Sequence, residues 1–134
     1  MTAETTPRAL RIIVADDDPD TVLTLTTVLQ DEGHDVRGYH QAGDVLRAMR
    51  EFDPDVIVLD INMPDLNGFT AAQEIRDRYG VRRPLLIAIT GVFTQGRDRI
   101  LTQLAGFDHH LVKPYETSDV LRLLAPVRSR ICQQ

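Results

Sequence analysis

Acidic, hydroxyl and ammonium side chains stand directly after short apolar runs in this sequence. They are Asp16, Asp17 and Asp18 after the first run, Asp60 after the third, Thr90 and Gly91 after the fourth, and Lys113 after the fifth. Clustered carboxylates repel one another at neutral pH, and a hard divalent cation such as Mg²⁺ relieves that repulsion because it prefers oxygen ligands. A hydroxyl and an ammonium group beside the cation are suitable donors to phosphoryl oxygens.

Phosphoryl transfer requires little more than positioning, charge neutralisation and an in-line nucleophile. A carboxylate can be that nucleophile and become an aspartyl phosphate. Asp60 is the candidate, because its strand is predicted to be the most central. Each residue alone also has a structural explanation: Asp18 before Pro19 is typical of a helix N-cap, Asp60 of a turn and Lys113 of a solvated cation. Their joint placement at four strand ends favours the functional interpretation.

The elements that must position these residues alternate between β-branched runs and amphipathic stretches. The predicted strands are Leu10–Ala15, His34–Tyr39, Val56–Leu59, Leu85–Ile89 and His109–Val112, and helical spacing predicts five helices around Val22–Leu29, Val45–Met49, Phe69–Tyr79, Ile100–Leu104 and Val120–Val127. Three strands are apolar throughout, which indicates a parallel sheet covered by helices on both faces. The carboxyl ends of parallel strands meet at one edge, so the polar residues above are expected to converge there.

Length and composition limit the function further. The 134 residues suit one domain, and 20 acidic against 15 basic residues give a net charge of −5, which argues against nucleic-acid binding. The single cysteine, Cys132, cannot form an internal disulfide, and no apolar run is long enough to span a membrane. The polar N-terminal segment does not resemble a signal peptide, so a cytoplasmic protein is expected. We predict a disordered tail at 1–8, a domain at 9–128 and a C-terminal tail at 129–134.

Four motifs together resemble the receiver domains of two-component response regulators. They are Ile12–Asp20, Asp60–Pro64 with Gly68, Thr90-Gly91, and Ala105–Asp108 leading to Lys113-Pro114. The resemblance covers about residues 9–128 and implies an α/β, flavodoxin-like, doubly wound parallel sheet of five strands in the order 2-1-3-4-5, with five helices. The stretch 108–114 is similar to the receivers of hybrid histidine kinases.

The resemblance also implies a role for each matching residue. Asp60 would be the phosphoacceptor and a metal ligand, Asp17 a direct Mg²⁺ ligand, Asp16 a ligand through water, and the backbone carbonyl of Asn62 a further ligand, with Mn²⁺ able to substitute. Thr90 would hydrogen-bond the phosphoryl group, Lys113 would pair with it, Gly91 would leave room for it, and Pro114 would follow a cis peptide bond. The phosphoryl donor would be a phosphohistidine on a sensor kinase or a histidine phosphotransfer protein.

One position departs from the family pattern. Many receivers carry Tyr or Phe three residues before the lysine as a conformational switch, and His110 stands there in this sequence. Phosphorylation is expected to change the face of the fourth helix, fifth strand and fifth helix, which would bind an output protein, with a homodimer as a further possibility. His109 and His110 are adjacent in a strand and would point to opposite faces, so they do not predict a metal site.

Three other functions compete with a phosphorylated receiver. A haloacid-dehalogenase-type phosphatase places a general acid two residues after its nucleophile, where this chain has Asn62, which cannot act in that way. An FMN-binding flavodoxin would bring its phosphate to the first strand end, where the Asp16–Asp18 carboxylates would repel it. A degenerate receiver would act only as an interaction domain, which the retained set of site residues disfavours. The chain is therefore expected to be no enzyme beyond its own phosphorylation and dephosphorylation.

Overall fold

The fold is a five-stranded parallel sheet with helices on both faces. The structure, a computed structural model, describes residues 9–61, 63, 68–80, 84–91 and 106–133, with side chains as far as Val127. The strands are β1 Arg11–Ala15, β2 Asp35–Tyr39, β3 Val56–Asp60, β4 Leu85–Thr90 and β5 His109–Val112. They lie in the order β2-β1-β3-β4-β5, and every neighbouring pair is parallel. The predicted architecture and strand order are confirmed.

Four helices occur in the described part of the chain. They are α1 Pro19–Asp31, α2 Ala42–Phe52, α3 Gly68–Tyr79 and α4 Thr117–Gln133. The helix predicted around Ile100–Leu104 and the tail predicted at 1–8 lie outside the described residues, so α4 corresponds to the fifth predicted helix. Among these described helices, none is long and apolar enough to cross a membrane.

The last helix continues past the boundary predicted at residue 128. Its backbone is helical to Gln133, so the segment predicted as a tail at 129–134 is helical over most of its length. Pro126 lies inside this helix, between the buried residues Leu124 and Val127. Ile131 stands four residues after the buried Val127, so the apolar spacing also extends beyond the predicted boundary.

Two apolar cores, one on each face of the sheet, explain the uniformly apolar strands. All five residues of β3 are buried. Ile57 and Leu59 belong to the core beneath α2 and α3, whereas Val56 and Val58 belong to the core beneath α1 and α4. A strand buried on both faces has no side that requires polar residues. The polar side chains are therefore left to the strand ends.

Side-chain hydrogen bonds close the edge of the sheet where the strands begin. The carboxylate of Asp55 accepts a hydrogen bond from the Arg11 backbone N–H at 2.9 Å, and the carboxylate of Asp108 accepts one from Leu86 at 2.8 Å. The Leu10 backbone N–H donates to Nδ1 of the buried His34 at 3.0 Å. Backbone donors at the starts of β1 and β4 are thereby satisfied by side chains rather than by water.

The start of α1 is fixed by a capping residue directly beside the acidic cluster. The carboxylate of Asp18 accepts hydrogen bonds from the Asp20 backbone N–H at 3.1 Å and from the Thr21 hydroxyl at 2.9 Å, and Pro19 occupies the first helical position. Both features suit a helix N-terminus, so the predicted cap is confirmed.

Replacing Asp18 by Ala is expected to lower the free energy of unfolding by about 1 kcal/mol, because the first turn of α1 loses its acceptor. Urea denaturation followed by far-UV circular dichroism measures the change. Asp18→Asn retains a side-chain acceptor and is the matched control. Equal losses in the two variants would contradict a capping role.

Candidate functional site

Strand register brings the predicted site residues to one edge of the sheet. Ala15 of β1 pairs with Leu59 of β3, so the residues that follow them, Asp16 and Asp60, come to the same level. Lys113 reaches this edge because its backbone N–H donates to the carbonyl of Thr90 at 2.8 Å, one step beyond the last ladder pair of β4 and β5. The carboxyl ends of β1, β3, β4 and β5 thus carry the polar groups that were predicted there from the sequence.

The three carboxylates of this edge form a compact cluster. One oxygen each from Asp16, Asp17 and Asp60 lies within 4.8 Å of the other two. Asp16 is fully buried and Asp60 is 4% exposed, whereas Asp17 is exposed to solvent. Two buried carboxylates and one accessible carboxylate concentrate negative charge at this edge of the sheet.

Lys113 supplies the positive charge inside this cluster. Its Nζ lies 3.1 Å from Oδ2 of Asp60 and 3.1 Å from Oδ2 of Asp16. Burial alone would lower the pKa of the Lys113 ammonium, but its hydrogen bonds to Asp16 and Asp60 outweigh that effect and raise the pKa. The ammonium group therefore stays charged between the two carboxylates.

The surroundings of Asp16 disfavour the ionised form of its carboxyl. The pKa of its carboxyl is raised from 3.8 to about 6, mainly by burial and also by the nearby charge of Asp60, while the Asp18 backbone N–H and Lys113 act in the opposite direction. Its Oδ1 accepts the Asp18 N–H hydrogen bond at 2.9 Å. A second positive charge beside Asp16 would favour the ionised form.

The donor set fits a hard divalent cation. All three clustered groups are carboxylates, which Mg²⁺ and Mn²⁺ prefer over nitrogen or sulfur ligands. Lys113 does not fully offset the burial of Asp16 and the charge of Asp60, so the pKa of Asp16 stays raised. Asn62, whose backbone carbonyl was predicted as a further ligand, lies outside the described residues.

The remaining predicted residues lie around the cluster on β4 and after β5. Thr90 is fully buried, and its hydroxyl lies 2.9 Å from Nε2 of His110. Gly91 follows it and is partly buried. The peptide bond between Lys113 and Pro114 is cis.

Two residues near the cluster were not assigned to the site from the sequence. His40 directly follows β2, and its Nδ1 lies 3.3 Å from the backbone carbonyl of Asp16. The rule that located the other residues, which takes the first polar residue after each strand, would have found it. Tyr115 is half-buried, and burial together with the charge of Asp16 raises the pKa of its hydroxyl to about 12.

Replacing Lys113 by Met is expected to destabilise the metal-free protein at pH 7.5. Two carboxylates lose their common partner, and because Lys113 is 34% exposed we expect a loss of about 1–2 kcal/mol, below the 3–5 kcal/mol of a fully buried pair. Urea denaturation in the presence of a chelator measures it. Arg122→Met, which removes an exposed cation that contacts Asp119, is the control. A loss no larger than that of the control would refute the bridging role of Lys113.

Comparison with known proteins identifies the family. The family model of the response regulator receiver domain matches residues 12–125, which include every residue of the site described above. The chain belongs to the response regulator receiver domain family. It is thus a receiver of two-component signalling, and the resemblance found in the sequence motifs is confirmed.

Individual relatives agree with this assignment. The receiver is 35% identical over 121 residues to the DNA-binding response regulator MtrA of Mycolicibacterium smegmatis, covering 90% of this chain but 50% of MtrA. It is 32% identical over 118 residues to PilH of Pseudomonas aeruginosa, covering 87% of this chain and 96% of PilH. The chain therefore spans about half the length of one relative and nearly all of the other.

Solved structures share the fold. A CheY-like receiver domain protein of Methanospirillum hungatei superposes with a TM-score of 0.82 at 22% identity, covering 92% of this chain and 96% of the other. The chemotaxis response regulator CheY4 of Vibrio cholerae superposes with a TM-score of 0.79 at 23% identity, covering 90% and 99%. Both comparisons support the doubly wound sheet independently of the sequence motifs.

Proposed function

We propose that this receiver accepts a phosphoryl group on Asp60 from a phosphohistidine of a sensor kinase or histidine phosphotransfer protein. The observation that carries the proposal is the arrangement around the Asp60 carboxylate. It lies among the carboxylates of Asp16 and Asp17 and contacts the ammonium group of Lys113 at 3.1 Å. A structural Asp at a strand end would require neither of these neighbours.

The proposed reaction moves one phosphoryl group between two side chains. An oxygen of the Asp60 carboxylate forms a bond to phosphorus while the phosphorus–nitrogen bond of the donor histidine breaks, and the released imidazole takes up a proton. Lys113 already contacts Asp60 and is placed to pair with the phosphoryl oxygens as negative charge accumulates. Later hydrolysis of the acyl phosphate restores the free carboxylate, so the receiver modifies only itself.

We assign a divalent cation, Mg²⁺ or Mn²⁺, to the acidic cluster. Asp16, Asp17 and Asp60 would hold it, together with the backbone carbonyl of Asn62. The cation would supply charge neutralisation at the phosphoryl oxygens. The exposed Asp17 gives it access from solvent, and the buried Asp16 would be ionised in its presence.

The donor protein is proposed to dock beside Lys113. A mainly apolar groove of about 470 Å³ opens there, between the first turns of α1 and the segment that follows β5. Thr21, Thr24 and Leu25 line one side, and Pro114 and Tyr115 line the other. A helix of a kinase or phosphotransfer protein placed against this groove would bring a histidine side chain close to Asp60.

The output is proposed to be a change in protein contacts. Phosphorylation replaces the single charge of the Asp60 carboxylate by a phosphoryl group that carries about −1.5 to −2 and three acceptor oxygens, which attracts hydrogen-bond donors on β4 and the segment after β5. The face of the predicted fourth helix, β5 and α4 would then bind its output protein differently. The direct output is thus a protein, in the cytoplasm, rather than nucleic acid.

Intact-mass spectrometry after incubation with acetyl phosphate and Mg²⁺ tests the proposal. One phosphoryl adduct per chain is expected, and it should disappear when a chelator removes the metal. The same sample with beryllofluoride and Mg²⁺ tests the site without a chemical step. Binding of beryllofluoride without an adduct would restrict the donor to a kinase or phosphotransfer protein. Neither an adduct nor binding would overturn the proposal and favour a degenerate receiver that acts only as an interaction domain.

A further inference from the structure

A hydrogen bond joins Thr90 to His110, the residue at the predicted switch position. The Thr90 hydroxyl lies 2.9 Å from Nε2 of His110. Ala88 of β4 pairs with His110 of β5, and Thr90 pairs with Val112. Because paired residues point to the same face of a sheet, Thr90 and His110 are diagonal neighbours on one face.

This hydrogen bond fixes the position of the Thr90 oxygen. Thr90 is fully buried and His110 is partly buried, so the bond lies where water competes poorly. A Phe at residue 110 could not form it, since its ring carries no hydrogen-bonding atom. The bond is therefore a property of the histidine in this chain.

A phosphoryl group on Asp60 requires the same hydroxyl. Phosphoryl oxygens accept hydrogen bonds, so Thr90 would have to donate its single proton to them. Among the described residues, the Thr90 hydroxyl bonds to His110 and not to Asp60. If the Thr90 hydroxyl donates to His110, its single proton cannot also be donated to a phosphoryl oxygen. If the imidazole donates instead, the hydroxyl oxygen is still held on the side of β5.

We propose that His110 is a positioning residue that competes with the phosphoryl group for the Thr90 hydroxyl. The inference rests on the proposed function, because it needs a phosphoryl group on Asp60. Loss of the His110 hydrogen bond lowers the cost of bringing Thr90 to the phosphoryl oxygens. His110 thereby favours the unphosphorylated state. It lowers the affinity of the site for a phosphoryl group below the value that Thr90 and Lys113 would give alone.

Calorimetric titration of beryllofluoride at saturating Mg²⁺ tests the competition. His110→Leu removes the hydrogen bond and keeps an apolar side chain on β5, and we expect its half-saturating concentration to fall by about 3–10-fold, the equivalent of one hydrogen bond. His110→Gln carries an amide near the position of Nε2 and is expected to restore the wild-type affinity. In a Thr90→Val background, His110→Leu should have no effect, since the competed hydroxyl is absent.

The outcomes separate this inference from the proposed function. Beryllofluoride binding by the wild type with no gain, or a loss, in His110→Leu would overturn the competition alone. An equal gain in the Thr90→Val background would also overturn it, because the effect would not pass through the hydroxyl. No binding by the wild type would overturn the proposed function and the competition together. If His110→Leu folds poorly, His110→Gln gives an independent reading, since an affinity several-fold above that of the wild type would contradict the rescue.

Discussion

Asp60→Asn is expected to abolish the phosphoryl adduct. The amide nitrogen and oxygen of Asn retain the shape of the side chain but form no acyl phosphate, since the nucleophile must be a carboxylate oxygen. The neighbours that activate the group remain in place, so the effect isolates the nucleophile from the rest of the site. Intact-mass spectrometry with acetyl phosphate and Mg²⁺, under the conditions used for the wild type, measures it.

Asp31→Asn is the matched control, because Asp31 is exposed at the end of α1 and the chemical change is identical. It should show the full adduct. An adduct of wild-type stoichiometry in Asp60→Asn would mean that another residue accepts the phosphoryl group. Mapping the modified peptide would then identify that residue, and the assignment of Asp60 would be wrong.

Asp16→Asn is expected to raise the free energy of unfolding of the metal-free protein by up to about 3 kcal/mol at pH 7.5. The pKa of the Asp16 carboxyl is raised from 3.8 to about 6, and each unit of displacement corresponds to about 1.4 kcal/mol. The pKa of about 6 already includes the attraction of the Lys113 ammonium group. Asn removes the buried charge and keeps an oxygen that can accept the Asp18 N–H hydrogen bond.

The effect depends on pH with a defined sign. A carboxyl whose pKa is higher in the folded state binds its proton more tightly there, so stability falls as pH rises between about 4 and about 6 and stays low above that range. Asp16→Asn should lose this part of the slope. Below pH 4 the variant and the wild type should therefore have similar stability.

Urea denaturation with a chelator, at several pH values, measures both predictions. Asp17→Asn is the matched control, since Asp17 is the exposed neighbour and its charge costs little in water. Mg²⁺ should stabilise the wild type more than Asp16→Asn, because one carboxylate of the cluster is missing. A variant that is no more stable than Asp17→Asn at pH 7.5 would show that burial of Asp16 carries no such cost.

Much of the fold follows from local patterns in the sequence. The apolar runs predict all five strands because a strand buried on both faces needs apolar residues at every position. The cap at Asp18 and the convergence of Asp60 and Lys113 follow from rules that connect a residue type to the end of an element. The capping rule acts over a few residues, whereas the convergence rule requires only that the strands belong to one parallel sheet.

Features that depend on tertiary contacts were not visible in the sequence. Asp16 and Asp17 are adjacent and chemically identical, yet Asp16 is buried and Asp17 is exposed. The hydrogen bond between Thr90 and His110 depends on the register of two strands that are 20 residues apart. The backbone of α4 continues to Gln133, past the apolar positions Val120–Val127 from which the helix was predicted.

The two edges of the sheet are built differently, because side-chain hydrogen bonds hold the edge opposite the acidic cluster. Asp55, Asp108 and His34 close the edge where β1 and β4 begin, far from the acidic cluster. These side-chain hydrogen bonds add to the backbone ladder that fixes the register of the strands. The proposed phosphorylation of Asp60 is therefore expected to act at the end of the sheet that carries the acidic cluster and to leave the opposite end unchanged.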